Sequence, residues 1–305
     1  MTQTADEIII GAVTRRSFIK VACGTLLGGA TLCALGPLYA AQIEPHWIEI
    51  IRLNINLPGL PEALDGLTIA QLSDFHLGPY VNREYIRQSV ELANGLGADI
   101  NVLTGDFVYS SARYSHACAQ ELALLRARYG TYAVLGNHDI WTNADEVANN
   151  LSQAGIIVLR DEKFSLDLDD TRLWILGTED TGHTGGFFSD FRKMWQTSAD
   201  RLATLLDGIP SAEPRLLLVH NPDFTEMLPE GRIDLALCGH THGGQIRLPL
   251  LGSPIVPSCF GQKYAAGLVS GPRTITYVNR GIGLIPPPVR FNCRPEITLL
   301  HLKSG

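Results

Sequence analysis

Gly239-His240-Thr241-His242-Gly243-Gly244-Gln245 stands directly behind Leu235-Ala236-Leu237-Cys238, an apolar run of strand length. Two histidines one residue apart project to the same side of an extended chain, and glycines beside them permit tight turns and close backbone approach. Four more polar clusters follow apolar runs in the same way. Asp74-Phe75-His76 follows the run at 67–72, Gly105-Asp106 follows 100–103, Gly136-Asn137-His138-Asp139 follows 132–135, and His220-Asn221 follows 215–219. The carboxyl ends of strands in an open α/β sheet face a common crevice. Five clusters placed there converge, and they carry five of the nine histidines.

Outward from these clusters, further strand candidates lie at 156–159, 173–176 and 274–278, and helix candidates at 83–94, 116–129, 144–154 and 199–206. The alternation predicts an α/β fold with a substantial buried sheet. From about residue 245 to 302 the turn residues Pro249, Gly252, Pro254, Pro257, Gly281 and Gly283 predict added antiparallel strands rather than further βα units. From Ile43 onward there is no linker, repeat or low-complexity tract, so the 305-residue chain reads as one domain behind an N-terminal segment. Hydrophobic residues make up 45% of it and charged residues 18%, which excludes a disordered chain. The net charge of -7 lacks a basic footprint, so no nucleic-acid binding is expected. An acidic protein still accommodates a phosphate where metal ions supply the local positive charge.

The N-terminal segment reads as an address. Thr14-Arg15-Arg16-Ser17-Phe18-Ile19-Lys20 precedes an apolar stretch at 21–35 and a small-residue end, Tyr39-Ala40-Ala41. The pattern resembles a twin-arginine export signal, which implies recognition by the twin-arginine machinery and a location in the periplasm or on the outer face of the cytoplasmic membrane. The expected division is 1–41 as signal peptide or membrane anchor and 42–305 as the functional domain. Removal and retention as an anchor both stay open: about 15 apolar residues are short for a span of roughly 20, and Leu38 is a poor cleavage-site residue.

Asp and His are oxygen and nitrogen ligands suited to Zn, Mn or Fe. Asn137 adds a neutral amide oxygen, which limits the negative charge of such a site. Cysteine ligands are absent from the clusters, so a zinc-finger reading fails. Each cluster alone is common by chance; all five in this order, each behind a strand, are a strong signal. They suit two ions bridged by one carboxylate.

The series resembles the calcineurin-like metallophosphoesterase superfamily, whose pattern is DxH, GD, GNH[DE], H and GHxH. The Gly-His-Thr-His-Gly-Gly-Gln form, with Asn279-Arg280-Gly281-Ile282-Gly283, Arg290 and Pro295-Glu296-Ile297 downstream, is similar to its bacterial YkuE/YaeI-like branch. The resemblance runs from about residue 65 to the C-terminus and implies a four-layer αββα sandwich of two mixed sheets. It assigns Asp74, His76, Asp106 and His242 to one metal and Asp106, Asn137, His220 and His240 to a second, Asp106 bridging. His138 would face the substrate and Asp139 would orient it. The cofactors implied are two divalent ions (Mn, Zn, Fe or Ni), and the substrate is a phosphate ester. Phosphodiesters are favoured, hydrolysed by in-line attack of a metal-bridging hydroxide with His138 assisting the leaving oxygen. The alternatives are a phosphomonoesterase, a lipid-directed pyrophosphatase of the UDP-acylated-sugar type, and a non-catalytic metal-binding envelope protein. One departure is visible: Gly105-Asp106-Phe107-Val108-Tyr109 lacks the second acidic residue of some relatives, a position that is not a direct ligand in the family.

Outside the clusters, His183 reads as an exposed loop residue and His46, His116 and His301 as structural or surface residues. Arg280 and Arg290 are either substrate-phosphate contacts or ordinary surface partners. Phe187-Phe188 and Pro286-Pro287-Pro288 read equally as packed loops or as an apolar lip over a lipid-like substrate. The six cysteines show no CxxC spacing and read as buried free thiols, with one or two disulfides as the alternative.

Overall fold

The computed structural model describes residues 35–168, 171–182 and 191–305. The twin-arginine motif at Arg15-Arg16, Cys23, Cys33, His183 and Phe187-Phe188 lie outside the described residues. The first half of the described chain runs β1 (Glu49–Leu57), β2 (Thr68–Leu72), α1 (Arg83–Asn94), β3 (Ile100–Thr104), α2 (Ser115–Leu122), β4 (Thr131–Val134) and α3 (Asn137–Gln153). The second runs β5 (Ile157–Val158), β6 (Glu162–Leu168), β7 (Thr171–Gly177), α4 (Phe191–Leu206), β8 (Arg215–Leu218), β9 (Leu235–Cys238), β10 (Gly267–Ser270), β11 (Ile275–Val278) and β12 (Glu296–Ser304).

The strands form two six-stranded mixed sheets, ordered β1-β12-β2-β3-β4-β5 and β10-β11-β9-β8-β7-β6. Alternation along each strand feeds two cores at once. Ile69 of β2 points into the layer between the sheets, where Val102, Val134, Ile175, Leu218 and Leu237 also lie. Ala70 and Leu72 point the other way, onto Ile86, Val90, Leu122 and Leu151 of α1, α2 and α3. On the far side, Leu176 and Leu217 pack against Trp195 and Leu202 of α4. The result is the αββα sandwich, held by three apolar layers.

Strands buried on both faces match the sequence expectation closely. The tail is mixed: β10 pairs antiparallel with β11, and β12 pairs antiparallel with β2. β11 runs parallel to β9, and β12 parallel to β1. α2 stops at Leu122, not Tyr129, because the following turn is tied to α1: Asn94 donates to the Leu124 carbonyl at 2.8 Å and accepts from the Arg126 N–H at 2.7 Å. α3 begins at Asn137, seven residues before the expected start at residue 144, and breaks at Asn143 (φ -172°, ψ 92°), whose side chain caps the continuing helix at Glu146.

The chain on both sides of the expected boundary at residue 42 is hydrogen-bonded to the rest of the fold. The Ala40 carbonyl accepts the Arg290 N–H at 2.8 Å, and the Pro45 carbonyl accepts the Tyr85 hydroxyl at 2.9 Å. Among the described residues no helix is long and apolar enough to cross a membrane. Cys118, Cys238 and Cys293 are buried free thiols, as expected, whereas Cys259 is free but exposed.

Candidate metal centre

All five clusters emerge where their strands end: behind β2, β3 and β4 of one sheet, and behind β8 and β9 of the other. The loops are stitched together before any side chain acts. Asp74 N–H donates to the Gly105 carbonyl and His76 N–H to the Asp106 carbonyl, each at 2.9 Å. Asp74, His76, Asp106, His240 and His242 all adopt left-handed backbone, with φ between 49° and 73°. Such conformations cost on the order of 1–3 kcal/mol each and concentrate at functional sites. Gly136 and Gly239 serve close approach rather than backbone freedom. A Cβ at Gly136 would overlap the Asp106 carboxylate, and one at Gly239 would overlap Ser73 and the Asp74 carboxylate.

The side chains divide into two donor groups. In the first, His76 Nε2 lies 3.0 Å from His242 Nε2 and 3.4 Å from Asp106 Oδ2, and His242 Nε2 lies 3.3 Å from Asp74 Oδ1. In the second, Asn137 Oδ1 lies 2.8 Å from His240 Nδ1 and 3.1 Å from His220 Nε2, and His220 Nε2 lies 3.3 Å from Asp106 Oδ2. Asp106 Oδ2 belongs to both. Ligand atoms at about 2.0–2.2 Å around a tetrahedral cation stand roughly 3.4 Å from one another, so these separations match a common centre in each group. The donor chemistry agrees. At most one proton lies between His76 Nε2 and His242 Nε2, and the remaining lone pairs share a buried space with carboxylate oxygens. Asp74, His76 and His242 together satisfy the proximity needed to hold an ion, as do Asp74, Asp106 and His220. His138 comes within the same reach of His76 and Asp106.

Electrostatics prepare the same chemistry. Burial pushes the His76 and His240 imidazoles down to about 3, so both offer lone pairs at neutral pH. Burial also raises the Asp74 carboxyl to about 6, against the pull of His220. For Asp106 burial acts upward too, but His220 and His76 beside it hold the carboxyl well below its ordinary value. His220 is the reciprocal case: burial acts downward, and Asp106 more than reverses it, leaving the imidazole well above its ordinary value. His220 Nδ1 donates to the Thr104 carbonyl at 2.6 Å, which turns Nε2 toward Asp106 and Asn137.

Asp139 does something other than hold the His138 ring. Its carboxylate accepts four backbone N–H groups, from Asp106, Phe107 and Gly136 at 2.9 Å and from Val108 at 3.2 Å. Burial and Asp106 push its carboxyl up to about 8, while these donors favour the ionised form. The ring of His138 is held instead by the Tyr109 carbonyl, 2.5 Å from Nδ1, and by stacking against Tyr109. The physical reason is position: Asp139 is the third residue of α3 and turns back onto the helix N-terminus, where unpaired N–H groups collect. Asp139 therefore ties the start of the helix to the 106–108 loop.

The sequence did not disclose the aromatic side of the site. Trp141 packs on His138 with ring centroids 4.7 Å apart, and Tyr80 meets Tyr109 at 5.6 Å. Arg290 is no substrate contact and no surface residue: it is fully buried and donates to the carbonyls of Arg280, Gly281, Gly283 and Cys293. Arg280 is paired with Glu49 and Glu296.

Residues 67–244 match the model of the family described as calcineurin-like phosphoesterase, and the chain belongs to that family. It is a metal-dependent phosphoric ester hydrolase by class. Among its relatives, the uncharacterized metallophosphoesterase YkuE of Bacillus subtilis is 34% identical over 295 residues, spanning 96% of this chain and 98% of that protein. Phosphodiesterase YaeI of Escherichia coli is 31% identical over 297 residues, spanning 95% and 99%. UDP-2,3-diacylglucosamine pyrophosphatase LpxG of Chlamydia trachomatis is 28% identical over 312 residues, spanning 87% and 92%.

Proposed function

We propose that this chain is a dinuclear-metal phosphodiesterase of the cell envelope. The observation that carries the reading is the position of Asp106 Oδ2 in both donor groups, 3.4 Å from His76 Nε2 and 3.3 Å from His220 Nε2. Asp74, His76, Asp106 and His242 would hold one divalent ion, and Asp106, Asn137, His220 and His240 the other; Mn, Zn, Fe and Ni all suit this donor set. When bound, the two ions would neutralise phosphate charge and lower the pKa of a water molecule between them.

The chain's own residues supply position and a proton. His138 Nδ1 faces a carbonyl, which only accepts, so Nδ1 carries hydrogen in either protonation state. Nε2 is then the atom that gains or gives a proton, and it is the atom placed to serve a leaving oxygen. The Asp106 carboxylate accepts the His138 backbone N–H at 2.9 Å, which fixes the ring relative to the shared ligand. Asn137 contributes oxygen without charge, so the protein part of the site stays attractive to a phosphate anion.

Preference for diesters is supported by the likeness to phosphodiesterase YaeI. Purified, metal-loaded protein is expected to hydrolyse bis-nitrophenyl phosphate faster than nitrophenyl phosphate and to lose both activities to a chelator. The reverse order would make it a phosphomonoesterase, and no turnover with Mn, Zn, Fe or Ni would end the enzymatic reading. A pyrophosphatase acting on a nucleotide-linked acyl sugar is the second reading, favoured by the likeness to LpxG. The envelope location rests on Arg15-Arg16 and the apolar stretch behind it. Arg15→Lys with Arg16→Lys keeps the charge but loses the planar donor fork; it should strand active protein in the cytoplasm, and unchanged export would refute a twin-arginine route.

A further inference from the structure

Beside the donor groups lies an apolar pocket of about 250 Å³. His242, a member of the first donor group, is among its lining residues, so the pocket adjoins that group. Ile246, Ile255, Ile285 and Pro287 line it as well, and no charged side chain borders it. Of the polar residues that line it, Thr241 donates to the Ala265 carbonyl at 2.8 Å, and the amide of Gln245 is engaged at both ends. Its Nε2 donates to the Ile285 and Pro287 carbonyls at 2.9 and 3.0 Å, and its Oε1 accepts the Ile285 N–H at 3.0 Å. Those three bonds also tie Gln245 to the 285–287 segment, and the Gln245 carbonyl accepts the Phe291 N–H. The pocket is therefore preformed, and it offers water almost no hydrogen-bonding partner.

Ile255, one of its lining residues, is 79% exposed, so the pocket carries an apolar side chain out to solvent. An exposed apolar side chain continuous with an apolar pocket signals an apolar ligand.

We propose that this pocket takes the alkyl or acyl chain of the substrate, which makes the substrate an amphiphilic phosphate ester. The inference rests on the phosphoesterase reading, because the phosphate must sit at the donor groups for its chain to enter past His242. A phosphate with a wholly polar substituent gains nothing from these walls. An apolar chain gains about fourfold in affinity for each methylene it buries, the factor equivalent to about 0.8 kcal/mol.

The test is calorimetric titration of the metal-loaded protein with alkyl(methyl)phosphinates, from ethyl to octyl. Both substituents of these anions are held by P–C bonds, so there is no ester to hydrolyse and binding is read without catalysis. The expected result is a dissociation constant that falls about fourfold per methylene until the pocket is full, with an increasingly negative heat-capacity change. Ile255→Asp and Ile285→Asp, made separately, should each weaken octyl binding at least tenfold more than ethyl binding. Affinity independent of chain length overturns the proposal, and so does an octyl preference that survives both substitutions. Turnover of bis-nitrophenyl phosphate by the same preparation is scored in parallel. Its loss would sink the phosphoesterase reading, whereas its presence beside a flat chain-length profile sinks the pocket alone.

Discussion

His76 Nε2 and His242 Nε2 face one another at 3.0 Å in a space closed to solvent, although their residues are separated by 166 positions. Two imidazoles brought this close, each on left-handed backbone, are held by a network of loops from both sheets. A cation between them and the adjacent carboxylates turns a costly arrangement of lone pairs into a binding site.

His138→Ala removes an imidazole that is fixed by the Tyr109 carbonyl at Nδ1 and stacked on the Tyr109 ring. Turnover should fall by roughly 10²–10⁴, the usual worth of a positioned acid or base. Metal content, measured by mass spectrometry of the purified protein, should stay at the parental value. Loss of an ion along with the activity would make His138 a ligand.

Asp139→Asn replaces a carboxylate facing four N–H groups with an amide that has one acceptor oxygen and two added hydrogens. Leaving buried donors unmet costs about 1–3 kcal/mol, so denaturant unfolding should show a loss of that size. Because the 106–108 loop carries the shared ligand, metal affinity should fall with it. A variant as stable as the parent, with normal affinity, would show that Asp139 has no part in holding the loop.

Much of this site was legible before the fold. The five clusters follow strands that are buried on both faces, and such strands read as continuous apolar runs. β1, β6 and β10 escaped because their partly exposed positions give no such run, and the largely buried β12 escaped because Glu296, Thr298, His301 and Lys303 interrupt its apolar residues. The division of the clusters between two sheets was equally hidden. Nothing in the residues behind β5 announces that β6 begins a second sheet, since pairing partners such as Tyr277 and Leu237 lie 40 positions apart. The partners of Asp139 were hidden for a related reason: its neighbour in sequence is His138, but three of the four N–H groups it accepts lie 31–33 residues upstream.

Proton release on metal binding has a definite pH dependence. Asp106 holds the His220 imidazole well above its ordinary value, against the effect of burial, so a proton there competes with a metal ion. Asp74, raised to about 6 by burial, must lose a second proton below that pH. His76 and His240, lowered to about 3 by burial, lose none. Affinity should therefore rise with pH throughout, more steeply below about 6 than above it. Titrations in buffers of differing ionisation enthalpy should count more protons released per ion near pH 5.5 than near pH 7.5, because Asp74 contributes only below about 6. A release that does not grow as the pH falls through 6 would contradict the raised Asp74 carboxyl.

The shared position of Asp106 Oδ2 is tested most directly by counting ions. Protein saturated with Mn or Zn and freed of excess metal should hold two ions per chain. Asp106→Asn should weaken both sites together, whereas His242→Ala should weaken the first and leave the second loaded. A saturated stoichiometry of one, or an Asp106 substitution that empties one site and spares the other, would contradict a dinuclear centre bridged by Asp106.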